Sequence, residues 1–168
     1  MQTLELNSEI KTINIKTINI KTCKGEIIME YRKFEDKYIV RIQKNEEIME
    51  QLKILCKKED IKLGSIEGLG AAKEVEIGLF NTETKEYKTT ILNGMFEITS
   101  LIGNISTKDG ETYLHCHINI SDESLNVKGG HLVRAVISAT GEIIVTKING
   151  TVDRRLDEEV GLNLFLFE

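Results

Sequence analysis

From residue 61 to its end the chain reads as strand after strand. Ile61 to Leu69, Val75 to Asn81, Lys85 to Leu92, Phe96 to Ile105 and Thr112 to Ile120 are short runs rich in β-branched residues. Gly70-Ala71-Ala72, Asn93-Gly94 and Asp109-Gly110 punctuate them, and runs of this kind bounded by glycine turns are strands. Another strand opens at Gly129-Gly130, Thr140-Gly141 turns into a further run, Glu142 to Ile148, and the chain ends on Leu162 to Phe167. Ahead of all these lies one strand, Lys37 to Gln43, and one convincing helix. Asn45 is its expected N-cap, with Glu46 and Glu47 in the first turn. Ile48, Leu52, Leu55 and Cys56 recur at helical spacing, and Lys57 and Lys58 close the last turn. The expectation is an α+β fold, a largely antiparallel sheet with one main helix.

The 168 residues suit a single domain with a sizeable core. Residues 10–22 stand apart, because Ile-Lys-Thr-Ile-Asn repeats there with a period of five that matches neither strand nor helix. We read residues 1–28 as a low-complexity leader, a disordered extension or an upstream start, and residues 29–168 as the domain. The sharper alternative for the leader is an added edge strand or a partner-binding tail. A net charge of −5 gives no overall attraction to nucleic acid or to an anionic membrane. No apolar run approaches the roughly 18–20 residues that span a bilayer. Cys23, Cys56 and Cys116 form no C-x-x-C pair and follow no signal peptide, which fits a reducing cytoplasm. Cys56, on the apolar face of the helix, is expected in the core.

All three histidines fall within 17 positions, in Leu114-His115-Cys116-His117 and Gly129-Gly130-His131-Leu132. On a strand, His115 and His117 share a face with Tyr113 and Asn119, whereas Leu114, Cys116, Ile118 and Ile120 form the opposite, apolar face. The histidines therefore point away from the core, and Cys116 points into it. His131 is expected to share a face with Val133, Ala135 and Ile137. If its strand lies beside the first, three imidazoles can hold one divalent metal with a position open, with zinc the default ion. Gly129 and Gly130 would let the backbone approach the site closely or take positive φ.

Other features are weaker. Gly68-Leu69-Gly70 contains a G-x-G, but no helix follows to cradle phosphate, so it reads as a tight bend. Glu97, within Phe96-Glu97-Ile98, is either a buried general base or carboxylate orienting an imidazole, or a solvated strand residue. The tail places Leu162, Leu164 and Leu166 on one face and Phe165 and Phe167 on the other. A strand apolar on both faces needs cover on both, so an oligomer is expected.

Gly94-Met95-Phe96-Glu97-Ile98-Thr99-Ser100-Leu101, then Leu114-His115-Cys116-His117 and Gly129-Gly130-His131-Leu132, follow the order of motifs in the plants-and-prokaryotes-conserved (PPC, or PCC) domain. Gly68-Leu69-Gly70-Ala71 and a start near Met29 fit as well, so the chain resembles that family, in its stand-alone prokaryotic form, over residues 29–168. Met95 stands where the family has arginine, and Thr99 where it has leucine. The resemblance implies an α+β domain assembled as a homotrimer. In plants the domain follows AT-hook motifs that grip A·T-rich DNA, and prokaryotic members are labelled DNA-binding by that kinship. This chain has no such hook and no proline. Some prokaryotic members hold a metal at the family histidines, which correspond to His115, His117 and His131. The resulting expectation is a trimeric regulatory or binding module with a Zn2+ site. A metal-dependent enzyme is the alternative, in which the three-histidine ion activates water or polarises a carbonyl and Glu97 acts as base. Direct DNA binding is a third reading.

Overall fold

The structure is a computed structural model that describes residues 16–21, 25 and 27–167. Among these residues nine strands and one helix follow in the order β1 (Ile18–Lys21), β2 (Ile27–Phe34), β3 (Lys37–Ile42), α1 (Ile48–Glu59), β4 (Gly64–Asn81), β5 (Glu86–Lys108), β6 (Glu111–Ser121), β7 (Val127–Lys147), β8 (Asp153–Asp157) and β9 (Leu162–Leu166). Seven strands form one sheet in the order β1-β2-β3-β7-β4-β5-β6, and β6 also pairs with β7, so β4, β5, β6 and β7 close on themselves. Every ladder is antiparallel. The fold is thus the expected α+β arrangement.

Long bent strands replace several expected hairpins. Ile61 to Leu69 and Val75 to Asn81 merge into β4, the runs on either side of Asn93-Gly94 merge into β5, and Thr140-Gly141 lies inside β7. Glycine provides bends in place of turns. Gly70 has φ +152, pairs with Gly141, and sits so close to the Thr140 carbonyl that no Cβ would fit. Register shifts flank Gly70 on both sides, which lets β4 turn sharply while keeping both its neighbours. The Asp109-Gly110 turn is a true hairpin, with Asp109 at φ 52, Gly110 at φ 81 and Lys108 opposite Glu111.

One local reading is corrected, and the edge-strand alternative for the leader finds a counterpart in the sheet. The N-cap of α1 is Glu47, not Asn45: its carboxylate accepts from the Met49 and Glu50 amides at 3.0 and 2.7 Å. The same carboxylate accepts from the Ala135 amide on β7 at 2.9 Å, so one side chain caps the helix and ties it to the sheet. Asn45, at φ 74, instead ends the preceding turn. Within the leader, Ile18–Lys21 form β1 against β2, with Ile18 opposite Tyr31. Over so few residues the five-residue repeat still alternates. Ile18 and Ile20 pack on the core, and Asn19 and Lys21 face solvent. Residues 1–15 and 22–24, including Cys23, lie outside the described residues.

The core lies between α1 and the sheet. Ile48, Leu52, Leu55 and Cys56 of the helix join Leu114, Cys116, Ile118 and Ile120 of β6 and Leu132, Ala135 and Ile137 of β7. Burial pushes both the Cys56 and Cys116 thiols up to about 12, so these free cysteines are unreactive core residues. The helix-free face of β5, β6 and β7 is left for the histidines.

Candidate metal centre

On β6 the apolar set Leu114, Cys116, Ile118 and Ile120 is buried, while His117 is exposed and His115 half-buried. The alternation read from the sequence holds here. β7 lies directly beside β6, within the same chain, and His117 is paired with His131. The connection is a tight loop in which the Asp122 carboxylate accepts from the Ser124 and Asn126 amides, both at 3.0 Å. Gly129 and Gly130 serve by close approach and not by positive φ. A Cβ on Gly129 would collide with the Asn119 amide, and one on Gly130 would lie 2.9 Å from the Gly78 carbonyl.

The alternation expected for β7 fails after His131. Leu132 is buried, but so are Ala135 and Ile137. The register changes between Leu132, opposite Ile77, and Arg134, opposite Glu76, which leaves Val133 as an extra residue. This bulge reverses the parity, so His131 faces the site while Ala135 and Ile137 face the core.

The three imidazoles converge. Ring centroids are 5.3 Å apart for His115–His117, 5.2 Å for His115–His131 and 5.6 Å for His117–His131. One nitrogen from each lies within 4.8 Å of the other two. A tetrahedral ion with bonds of about 2.0–2.1 Å needs nitrogens about 3.3 Å apart, which small ring rotations supply. Burial, then the neighbouring His131 and Arg154, hold His115 down at about 4, and burial also lowers His131. Both are neutral at pH 7, the form that binds a metal. Among the described residues no fourth histidine, cysteine or carboxylate joins the group. The residues present fit a divalent ion with an open position.

Glu97 is exposed and paired with Ala71 and Ser121, four residues beyond His117 along β6, so it is a solvated strand residue in this chain and does not orient an imidazole. A groove of about 860 Å³ runs between Arg41, Leu69, Ile102 and Ile144, and no histidine lines it.

Four further residues, Gly78, Tyr87, Asn104 and Arg154, surround the histidines without any signal in the sequence. Gly78 is paired with His131, and its missing side chain leaves room for the Tyr87 ring, which stands edge-on to His131 at 5.9 Å. Burial, then Glu76, raises the Tyr87 hydroxyl, which stays a hydrogen-bond donor at neutral pH. Asn104 is paired with His115, and its side-chain oxygen accepts from Arg154 at 2.8 Å. These neighbours depend on cross-strand register and on the C-terminal hairpin, neither of which local patterns reveal.

The model of the Plants and Prokaryotes Conserved (PCC) domain family matches residues 29–149. Among solved structures, a Bacteroides thetaiotaomicron protein described as a candidate DNA-binding protein is 35% identical, with TM-score 0.82, covering 83% of this chain and 98% of its own. A plant- and prokaryote-conserved protein of Pyrococcus horikoshii is 35% identical, with TM-score 0.73, covering 82% and 95%. A metal-containing protein of Archaeoglobus fulgidus is 28% identical, with TM-score 0.74, covering 80% and 96%. No curated protein matches this chain.

Proposed function

We propose that this chain, which belongs to the Plants and Prokaryotes Conserved (PCC) domain family, is a self-associating binding and regulatory module whose three histidines hold a divalent metal. The observation that carries this reading is the convergence of His115, His117 and His131 from two directly paired strands. The Archaeoglobus relative described as metal-containing supports it. Zinc is the preferred ion, because three imidazoles suit it and leave one position free.

A homotrimer is the proposed assembly. The β8–β9 hairpin supports self-association, since Leu156, Leu162, Leu164, Phe165 and Phe167 are each more than a third exposed. Light scattering at several concentrations tests it. A mass of three chains is expected, and a monomer at all concentrations contradicts it. Free, buried Cys56 and Cys116 are consistent with residence in a reducing cytoplasm.

DNA binding comes to this chain from the description of the Bacteroides relative. The net charge of −5 runs against direct contact, and the proposed role is association with a partner. A gel-shift titration at low salt should give no shift with the protein alone. A salt-sensitive shift would restore direct DNA binding.

The absence of a fourth protein ligand among the described residues favours a second reading, a metal-dependent enzyme. A bound ion there would acidify a water or polarise a carbonyl. Tyr87, protonated and beside His131, would donate to an oxygen at the centre. X-ray absorption of the metal-loaded protein separates the readings: three imidazoles plus one exchangeable oxygen favour chemistry, and a fourth protein ligand favours a structural metal.

A further inference from the structure

Arg154, on β8, is only 6% exposed, yet every partner it has is neutral. Its Nε donates to Ser106 Oγ at 2.7 Å, Nη1 to the Asn163 carbonyl at 2.8 Å and Nη2 to Asn104 Oδ1 at 2.8 Å. Its guanidinium packs against the rings of Phe165 at 4.2 Å and Tyr113 at 4.8 Å. Among the ion pairs of the described residues none includes it. A buried cation without a counter-charge is costly, and dipoles and rings compensate it only in part. Three of its five N–H groups are used, which leaves one on each terminal nitrogen.

The position of this charge matters. Ser106 and Asn104 are paired with Tyr113 and His115, so the guanidinium rests on the face that carries the histidines. It packs on Tyr113, two residues before His115 on β6, and bonds Asn104, the cross-strand partner of His115. A divalent ion on the three imidazoles would therefore share its surroundings with a permanent positive charge, and among the described residues no carboxylate joins the ligand group. The two cations repel each other, and an anion reaching both relieves that repulsion. The bordering surface is largely carbon: the Tyr113 and Phe165 rings, and Ile102, which is 65% exposed and paired with His117. The unused N–H groups of a guanidinium suit a carboxylate.

From these relationships we propose that the open position of the three-histidine centre receives a small organic carboxylate, and that Arg154 meets its negative charge. The proposal rests on the metal reading above. It does not follow from the family match, because Arg154 lies beyond residues 29–149.

The test uses the full chain loaded with cobalt(II), whose visible spectrum reports its ligands, titrated with malonate and, separately, with inorganic phosphate. Malonate should change the spectrum saturably, bind more tightly than phosphate, and slow cobalt loss to a chelator. Arg154→Gln should hold cobalt more tightly than wild type in the absence of anion, because the repelling charge is gone. The same variant should bind malonate about 10–100-fold more weakly, the scale of a lost charge-assisted pair. An arginine that only anchors the hairpin would not tighten cobalt binding. Arg154→Lys, which keeps the charge and loses the fork, should fall between the two, and it decides the matter if Arg154→Gln does not fold. Cobalt bound with a spectrum indifferent to malonate, equal responses in wild type and variants, or phosphate binding as tightly as malonate would each overturn the proposal while leaving the metal site intact. Failure to bind cobalt at all would remove the metal reading and this proposal together.

Discussion

His117 on β6 and His131 on β7 are direct cross-strand partners, their rings 5.6 Å apart and at 89° to one another. Neither packs in the core, and their immediate neighbours do: Ile118 and Leu132 are each 1% exposed. The pair is therefore maintained by the ladder and not by burial of the rings. His117→Ala should change the stability of the metal-free protein by no more than about 0.5 kcal/mol. Ile118→Ala, one residue on, should cost about 2–5 kcal/mol. Urea denaturation of both variants checks this, and a large loss in His117→Ala would make the histidine a structural residue.

Stability of the metal-free protein should depend on pH through His115. Its imidazole titrates at about 4 in the fold and near 6.5 in an unfolded chain. Between those values the unfolded chain binds more protons, so stability falls as pH is lowered from about 6.5 to about 4. The loss should be on the order of 1–2 kcal/mol, allowing for solvent screening of a half-exposed ring. His115→Gln should flatten that part of the curve, and an unchanged curve in the variant would assign the effect elsewhere.

Glu47 joins three backbone amides, those of Met49, Glu50 and Ala135. Glu47→Ala removes the helix cap, worth about 1 kcal/mol, and strands the Ala135 amide against a buried position, worth about 1–3 kcal/mol. A total loss of about 2–4 kcal/mol is expected in equilibrium unfolding. Asn45→Ala, at the cap position first expected, should cost distinctly less.

Gly78→Ala should move Tyr87 without unfolding the protein. The new methyl would collide with the phenol ring, but Tyr87 is 46% exposed and can swing outward. The ring would then leave His131. Circular dichroism should be unchanged, while metal affinity falls by a factor of up to about 10–100, the usual scale for a neighbour that orients a ligand. Tyr87→Phe keeps the ring and should retain most of that affinity.

Much of this arrangement was legible in the sequence, for reasons that are local. The alternation of Tyr113, His115 and His117 against Leu114, Cys116 and Ile118 separates site from core on one strand, and the helical spacing of Ile48, Leu52 and Leu55 marks the one helix. What escaped depended on register. The Val133 bulge reverses the faces of β7 after His131, Gly70 and Gly141 bend long strands where turns were expected, and a carboxylate two residues past Asn45 takes the cap. Tyr87 and Arg154 reach the histidines only through pairing across β4, β5 and the C-terminal hairpin, so no run of neighbouring residues announces them. Glu97, singled out by its apolar neighbours, alternates outward from Phe96 and Ile98 and is solvated.

The most direct test is the metal content of the protein purified without added metal, measured beside that of His117→Ala. The account predicts one divalent ion per chain in the wild type and almost none in the variant, with both equally folded. No stoichiometric metal in the wild type, or the same content in both, would contradict it.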